Sequence, residues 1–76
     1  MNPELAAAFD EIKVEMVRAR SCFGPFHSTH EGYAVLLEEM DELWEAVRCK
    51  QFTAADRHAE ARQVATMAVC FMLECH

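Results

Sequence analysis

The chain has 76 residues, with 7 Lys and Arg against 13 Asp and Glu, a formal charge of −6 and 53% hydrophobic residues. That length supports one domain, residues 1–76, with a small core; the apolar share exceeds what so short a monomer hides and predicts self-association, as a homodimer or homotetramer. The acidity excludes nucleic-acid backbones and anionic membrane surfaces as partners, because both need a basic patch, and no apolar run approaches the ~20 residues of a membrane span.

Four cysteines are present, Cys22, Cys49, Cys70 and Cys75, with only two Gly and two Pro. Such a chain lacks the loops that disulfides staple. Its start, Met-Asn-Pro-Glu, has neither the basic nor the apolar region of a secretory leader. Reduced thiols in a cytoplasmic protein are the expectation.

A first helix is expected over about residues 3–22. Asn2 can cap it, Pro3 suits its first position, and Glu4 faces the positive end of the dipole. Leu5, Phe9, Ile12 and Met16 make one apolar stripe at helical spacing. Gly24-Pro25 stops the helix. Residues 23–29 form the one long connection, and its Phe23 and Phe26 are expected to pack back on the helices. Ser28 with Glu31 reads as a capping box, so a second helix is expected over about 29–50. Gly32 in its first turn costs up to about 1 kcal/mol against Ala and leaves room for a close approach. Tyr33, Leu36, Leu37, Met40, Leu43, Trp44 and Val47 form its apolar stripe. Thr53 or Asp56 can cap a third helix over about 54–75. From Val64 to Leu73 that helix is apolar nearly all round, a pattern that predicts burial on every side and a second chain to cover it. No stretch alternates as a strand does. The expected fold is all-α: a three-helix chain forming an antiparallel helical bundle, completed by dimerisation or tetramerisation.

The second helix also carries Glu38, Glu39, Asp41, Glu42 and Glu45, with no basic residue before Arg48. Like charges three or four residues apart repel by a few tenths of a kcal/mol per pair. A hard divalent cation relieves this; Mg²⁺ is typically held by one or two carboxylates together with waters and substrate phosphate oxygens. Glu60 and Gln63, one turn apart on the third helix, can face this cluster across a helix pair. The alternative is a solvated acidic face, although such faces usually mix both signs.

The run His30-Glu31-Gly32-Tyr33-Ala34-Val35-Leu36-Leu37-Glu38-Glu39-Met40-Asp41-Glu42-Leu43-Trp44 resembles the first half of the MazG-like all-α nucleoside triphosphate pyrophosphohydrolases, closest to the short form of phages and mobile elements. Glu60-Ala61-Arg62-Gln63 resembles the second half. The family pattern is ExxE followed by ExxD; here Glu39 and Glu42 are the first pair and Glu60 opens the second. The resemblance spans about residues 28–72. It implies antiparallel helices assembled as a dimer or dimer of dimers. It further implies Mg²⁺-dependent hydrolysis, with Mn²⁺ as a substitute, of an NTP or dNTP to the monophosphate and pyrophosphate. Glu38, Glu39, Glu42 and Glu60 would hold the ion, and Glu39 or Glu38 would act as general base. Gln63 stands where the pattern has Asp and offers a neutral oxygen instead. The alternative function is a catalytically impaired helical oligomer that binds a nucleotide or a protein partner.

Other residues have two readings each. Trp44 and Tyr33 can stack on a base or pack in a core. His30, at a helix start, can meet a phosphate or cap. His27 and His30 are spaced HxxH, though capping and surface roles suit a loop better than zinc. Lys13, Arg18, Arg20, Arg48 and Lys50 are phosphate clamps or surface charges. Arg62 can pair with Glu38 or Glu42. Cys70, Cys75 and His76 form no CxxC zinc pattern.

Overall fold

Asn2 starts the first helix: its side-chain oxygen accepts from the backbone N–H of Glu4 at 2.7 Å and of Leu5 at 3.3 Å. From there the chain makes three helices, α1 (Pro3–Phe23), α2 (Thr29–Arg48) and α3 (Ala54–Glu74). The computed structural model describes residues 1–75, and among them there is no strand. None of these helices is long and apolar enough to cross a membrane. His76 lies outside the described residues.

The boundaries follow their chemistry. α1 runs to Phe23, one residue past the expected end, and stops where Gly24 turns to φ 61, ψ 176, backbone open in practice only to glycine. At α2 only half a capping box forms. Ser28 Oγ accepts from Glu31 N–H at 3.0 Å, but the Glu31 carboxylate turns to the His27 N–H at 2.8 Å. α2 ends at Arg48, short of the expected Lys50, because Cys49 leaves the helix while its N–H still bonds Glu45 O at 3.1 Å. Thr53 and Asp56 make the complete box: Thr53 Oγ1 accepts from Asp56 N–H at 3.1 Å, and Asp56 Oδ2 accepts from Thr53 N–H at 2.8 Å. α3 closes at Glu74, with Cys75 as its cap.

α3 is the centre. α1 and α2 each pack against it and not against each other. Thr66 and Cys70 are fully buried, and Thr66 Oγ1 donates back to Arg62 O at 2.8 Å. Ala19 of α1 and Met67 are buried with Cys70 in one cluster, and Ala46 of α2 is buried as well. Close approach at the start of α2 depends on Gly32. A Cβ there would stand 2.9 Å from both Cys75 Sγ and a Phe71 ring carbon, and 3.2 Å from the Phe26 ring. A clasp ties the ends of α1 and α3. Arg20 donates to Glu74 through Nε at 2.5 Å and Nη2 at 2.7 Å. Its third arm donates to Gly24 O at 3.0 Å, and its guanidinium lies over the Phe26 ring. Glu74 also accepts from Phe26 N–H at 3.1 Å. Phe26 thus packs back as expected; Phe23 stays 76% exposed.

The expectation about the apolar face of α2 needs correction. On α2 the side turned to α3 carries Gly32, Val35, Leu36, Glu39, Leu43 and Ala46. Tyr33, Leu37, Met40, Trp44 and Val47 are exposed instead of packed. Small residues at the two ends of the buried line let the backbones approach there, so the bulkier stripe is left outside. α3 buries Thr66, Met67 and Cys70 along its apolar stretch and half-buries Val64, Ala65, Ala68, Val69 and Phe71 within the single chain. Its exposed large side chains, Met72 and Leu73, lie at its last turn.

Candidate metal centre

Glu39 and Glu42 lie one turn apart on α2, and Glu60 meets them from the first half of α3. One carboxylate oxygen from each lies within 4.8 Å of the others. Among the described residues this is the one group of three or more His, Cys, Asp or Glu side chains close enough to share an ion. Glu39 and Glu60 are half-buried and Glu42 is exposed. The helices bring the acids together because Glu39 belongs to the buried line of α2, so its charge must face α3.

The electrostatics are those of a site short of positive charge. Burial, then the charge of Glu42 and a hydrogen bond shared with it, then Glu60 and Glu38, push the Glu39 carboxyl up to about 7. Burial and Glu42 raise Glu60 as well. Glu39 Oε2 and Glu60 Oε2 are buried, and no N–H or O–H reaches either. Among the described residues neither these two nor Glu38 and Glu42 takes part in an ion pair. Arg62, expected beside Glu38 or Glu42, is drawn to Glu11 of α1, where its Nη1 lies 3.2 Å from Oε1. His58 Nε2 sits 2.8 Å from the same oxygen. Converging carboxylates with unpartnered buried oxygens fit a divalent cation, which supplies the missing charge and takes oxygen ligands.

Beside the cluster a cavity of about 410 Å³ opens between α1, the 24–28 connection and α2. Glu38 and Glu39 line one side, Arg18, Arg20, Phe23 and Phe26 the other, and Gln63 and Met67 reach in from α3. Glu38 is exposed on this wall and outside the three-oxygen group. Gln63 therefore lines the same cavity as Glu38 and Glu39, whose wall is part polar and part apolar. It also lies against Glu15. Arg18, donating through Nε at 2.6 Å, and then the Gln63 amide hold the Glu15 carboxyl below the usual range despite its burial.

His27 lies on the rim of this cavity, paired with Glu31, and other sequence candidates lie elsewhere. Lys13, His30 and Trp44 are exposed, and none lines this cavity. Arg48 pairs with Glu45 at 2.6 Å. Glu74, which follows Gln63 along α3, serves the Arg20 clasp. Glu15 went unnoticed in the sequence. Its one signal was position: it lies between Ile12 and Ala19 on the packed side of α1, where an isolated acid requires a partner. No family model, curated protein or solved structure matches the chain.

Proposed function

We propose that this chain is a Mg²⁺-dependent nucleoside triphosphate pyrophosphohydrolase of the MazG-like type. It converts an NTP or dNTP to the monophosphate and pyrophosphate and removes unwanted nucleotides in the cytoplasm. It works as a homo-oligomeric antiparallel helical bundle. The observation that carries the reading is the convergence of Glu39, Glu42 and Glu60 with orphaned buried oxygens, next to a cavity walled by acids on one side and Arg18 and Arg20 on the other. The contacts of Gly32 with Phe71 and Cys75, and of Glu39 and Glu42 with Glu60, suit an antiparallel α2–α3 pair.

Glu39, Glu42 and Glu60 would hold the ion, with Gln63 as the neutral neighbour. Bound there, Mg²⁺ neutralises phosphate charge and makes water more acidic. Glu38, on the cavity wall and outside the oxygen cluster, takes the proton of the attacking water. Arg18, the more exposed of the two arginines, faces the phosphates, and the exposed Phe23 offers an aromatic face to a base. With the water oxygen bonded to phosphorus, the bridging P–O bond breaks and pyrophosphate leaves.

Release of pyrophosphate from a panel of NTPs and dNTPs with Mg²⁺ or Mn²⁺ tests the reading. Turnover that falls at least a hundredfold in Glu39→Gln is expected, in line with loss of a carboxylate that would hold the ion. No turnover with any nucleotide contradicts it. Gln63, neutral where the resemblance has an acid, favours a second reading: an oligomer that binds nucleotide without hydrolysing it. Calorimetric binding of a non-hydrolysable nucleotide together with absent turnover selects that reading.

A further inference from the structure

The largest unexplained feature is the outer flank of α2. Tyr33 is 62% exposed, Leu37 47%, Met40 47%, Trp44 60% and Val47 53%. Their steps are four, three, four and three residues. That repeat of 3.5 is the seam of a helix that pairs with another helix. No charged residue interrupts it. At 100° per residue the seam lies roughly opposite Glu38 and Glu42, so covering it leaves the carboxylates open.

The surface area points the same way. The chain exposes 5496 Å². A monomer of 8.7 kDa is expected to expose about 4,700 Å². The excess, about 800 Å², is one partner's share of a standard protein–protein interface. Five large side chains, each of roughly 200 Å² and about half exposed, supply on the order of 500 Å² of it along one helix.

We propose that two copies of this chain pair through α2, antiparallel, about a two-fold axis at Met40. The seam is complementary to itself in that sense: Tyr33 meets Val47, Leu37 meets Trp44, and Met40 meets its own copy. Each bulky ring then faces a smaller aliphatic side chain, and the two helix dipoles oppose. The proposal gives the self-assembly part of the proposed function a definite surface, α2 where the sequence pointed to α3, and it does not depend on the nucleotide reading. Asp41, one residue beyond Met40, comes near its own copy at the axis. With −6 on each chain, pairing is opposed by charge, so added salt strengthens it.

Light scattering on the eluting protein tests this. A mass of 17.4 kDa, twice 8.7 kDa, is expected at submillimolar concentration; a mass of 8.7 kDa overturns the proposal. Met40→Glu and Trp44→Glu each return the monomer mass, whereas Val17→Glu, at a position 70% exposed on α1, leaves the dimer. A dimer indifferent to both seam variants overturns it. Direction is read by disulfide cross-linking in a background with Cys22, Cys49 and Cys75 replaced by Ser. Met40→Cys cross-links to itself and Tyr33→Cys does not; efficient cross-linking at Tyr33→Cys contradicts the antiparallel seam. If the Glu variants unfold, the wild-type protein decides. Its urea midpoint rises with protein concentration and its one tryptophan, Trp44, shifts to the red on dilution, or the proposal fails. Mg²⁺ titration of the Met40→Glu monomer separates this question from the metal reading, since its carboxylate cluster is untouched.

Discussion

Glu39 concentrates the chemistry of the molecule in one carboxyl. Its folded pKa, pushed to about 7, lies above the ordinary value of 4.5. A group shifted that way contributes stability that is full below pH 4.5 and is lost as pH rises through about 7. Without metal, the cluster therefore destabilises the fold between pH 5 and 8. Glu39→Gln should flatten that part of the melting-temperature profile measured in chelator. Metal binding runs the opposite way: the ion needs the deprotonated acid, so Mg²⁺ affinity should climb as pH passes 7. Glu15 and Glu74 sit below the usual carboxylate range, and their contribution disappears only at acid pH, as pH falls through their lowered values. Gln63→Asp places a fourth negative charge on the cavity wall beside Glu38 and Glu39. Mg²⁺ affinity and turnover should both rise several-fold, and the metal-free melting temperature should fall; unchanged affinity would mean that position 63 does not face the ion.

The helices themselves were largely legible in the sequence, because caps are local chemistry. Asn2, Ser28 and Thr53 open the three helices as their side chains dictate, and Gly24 closes the first. The carboxylates were legible too: one-turn spacing on α2 and Glu60 in the first half of α3 suffice to bring Glu39, Glu42 and Glu60 together. The face of α2 was not. Large apolar residues suggested one broad stripe, but the packed line runs through Gly32, Glu39 and Ala46, two of which carry almost no hydrophobic signal. Glu15 was hidden for a related reason, since its partners Arg18 and Gln63 come partly from another helix. Two predictions belong at this scale. Gly32→Ala forces a methyl against Cys75 and Phe71. Overpacking of this kind costs about 1–3 kcal/mol, only partly offset by the better helix propensity of Ala, so chemical denaturation should show a net loss. Glu74→Gln removes the charge from a clasp whose two side chains are 22% and 18% exposed. A loss of about 2 kcal/mol is expected in the same experiment, the usual size for hydrogen bonds to a charged group; no loss would make the clasp incidental.

At the scale of the whole molecule, α2 presents two faces of different character. One opens the cavity between the acids of α2 and the arginines of α1. Away from it, the outer flank of α2 carries the uncharged seam proposed as the surface for a second copy. Pairing on that flank keeps the carboxylates accessible, so the assembly and the site can be tested apart. Cation binding remains the decisive property, because both the hydrolytic and the binding-only readings require it. The most direct measurement is a calorimetric titration of Mg²⁺, repeated with Mn²⁺, into the metal-free protein at pH 8 and into Glu60→Gln. Saturable binding to the wild-type chain that weakens at least tenfold in Glu60→Gln, about 1.4 kcal/mol, is the predicted result. Absent binding, or binding that Glu60→Gln leaves unchanged, contradicts it.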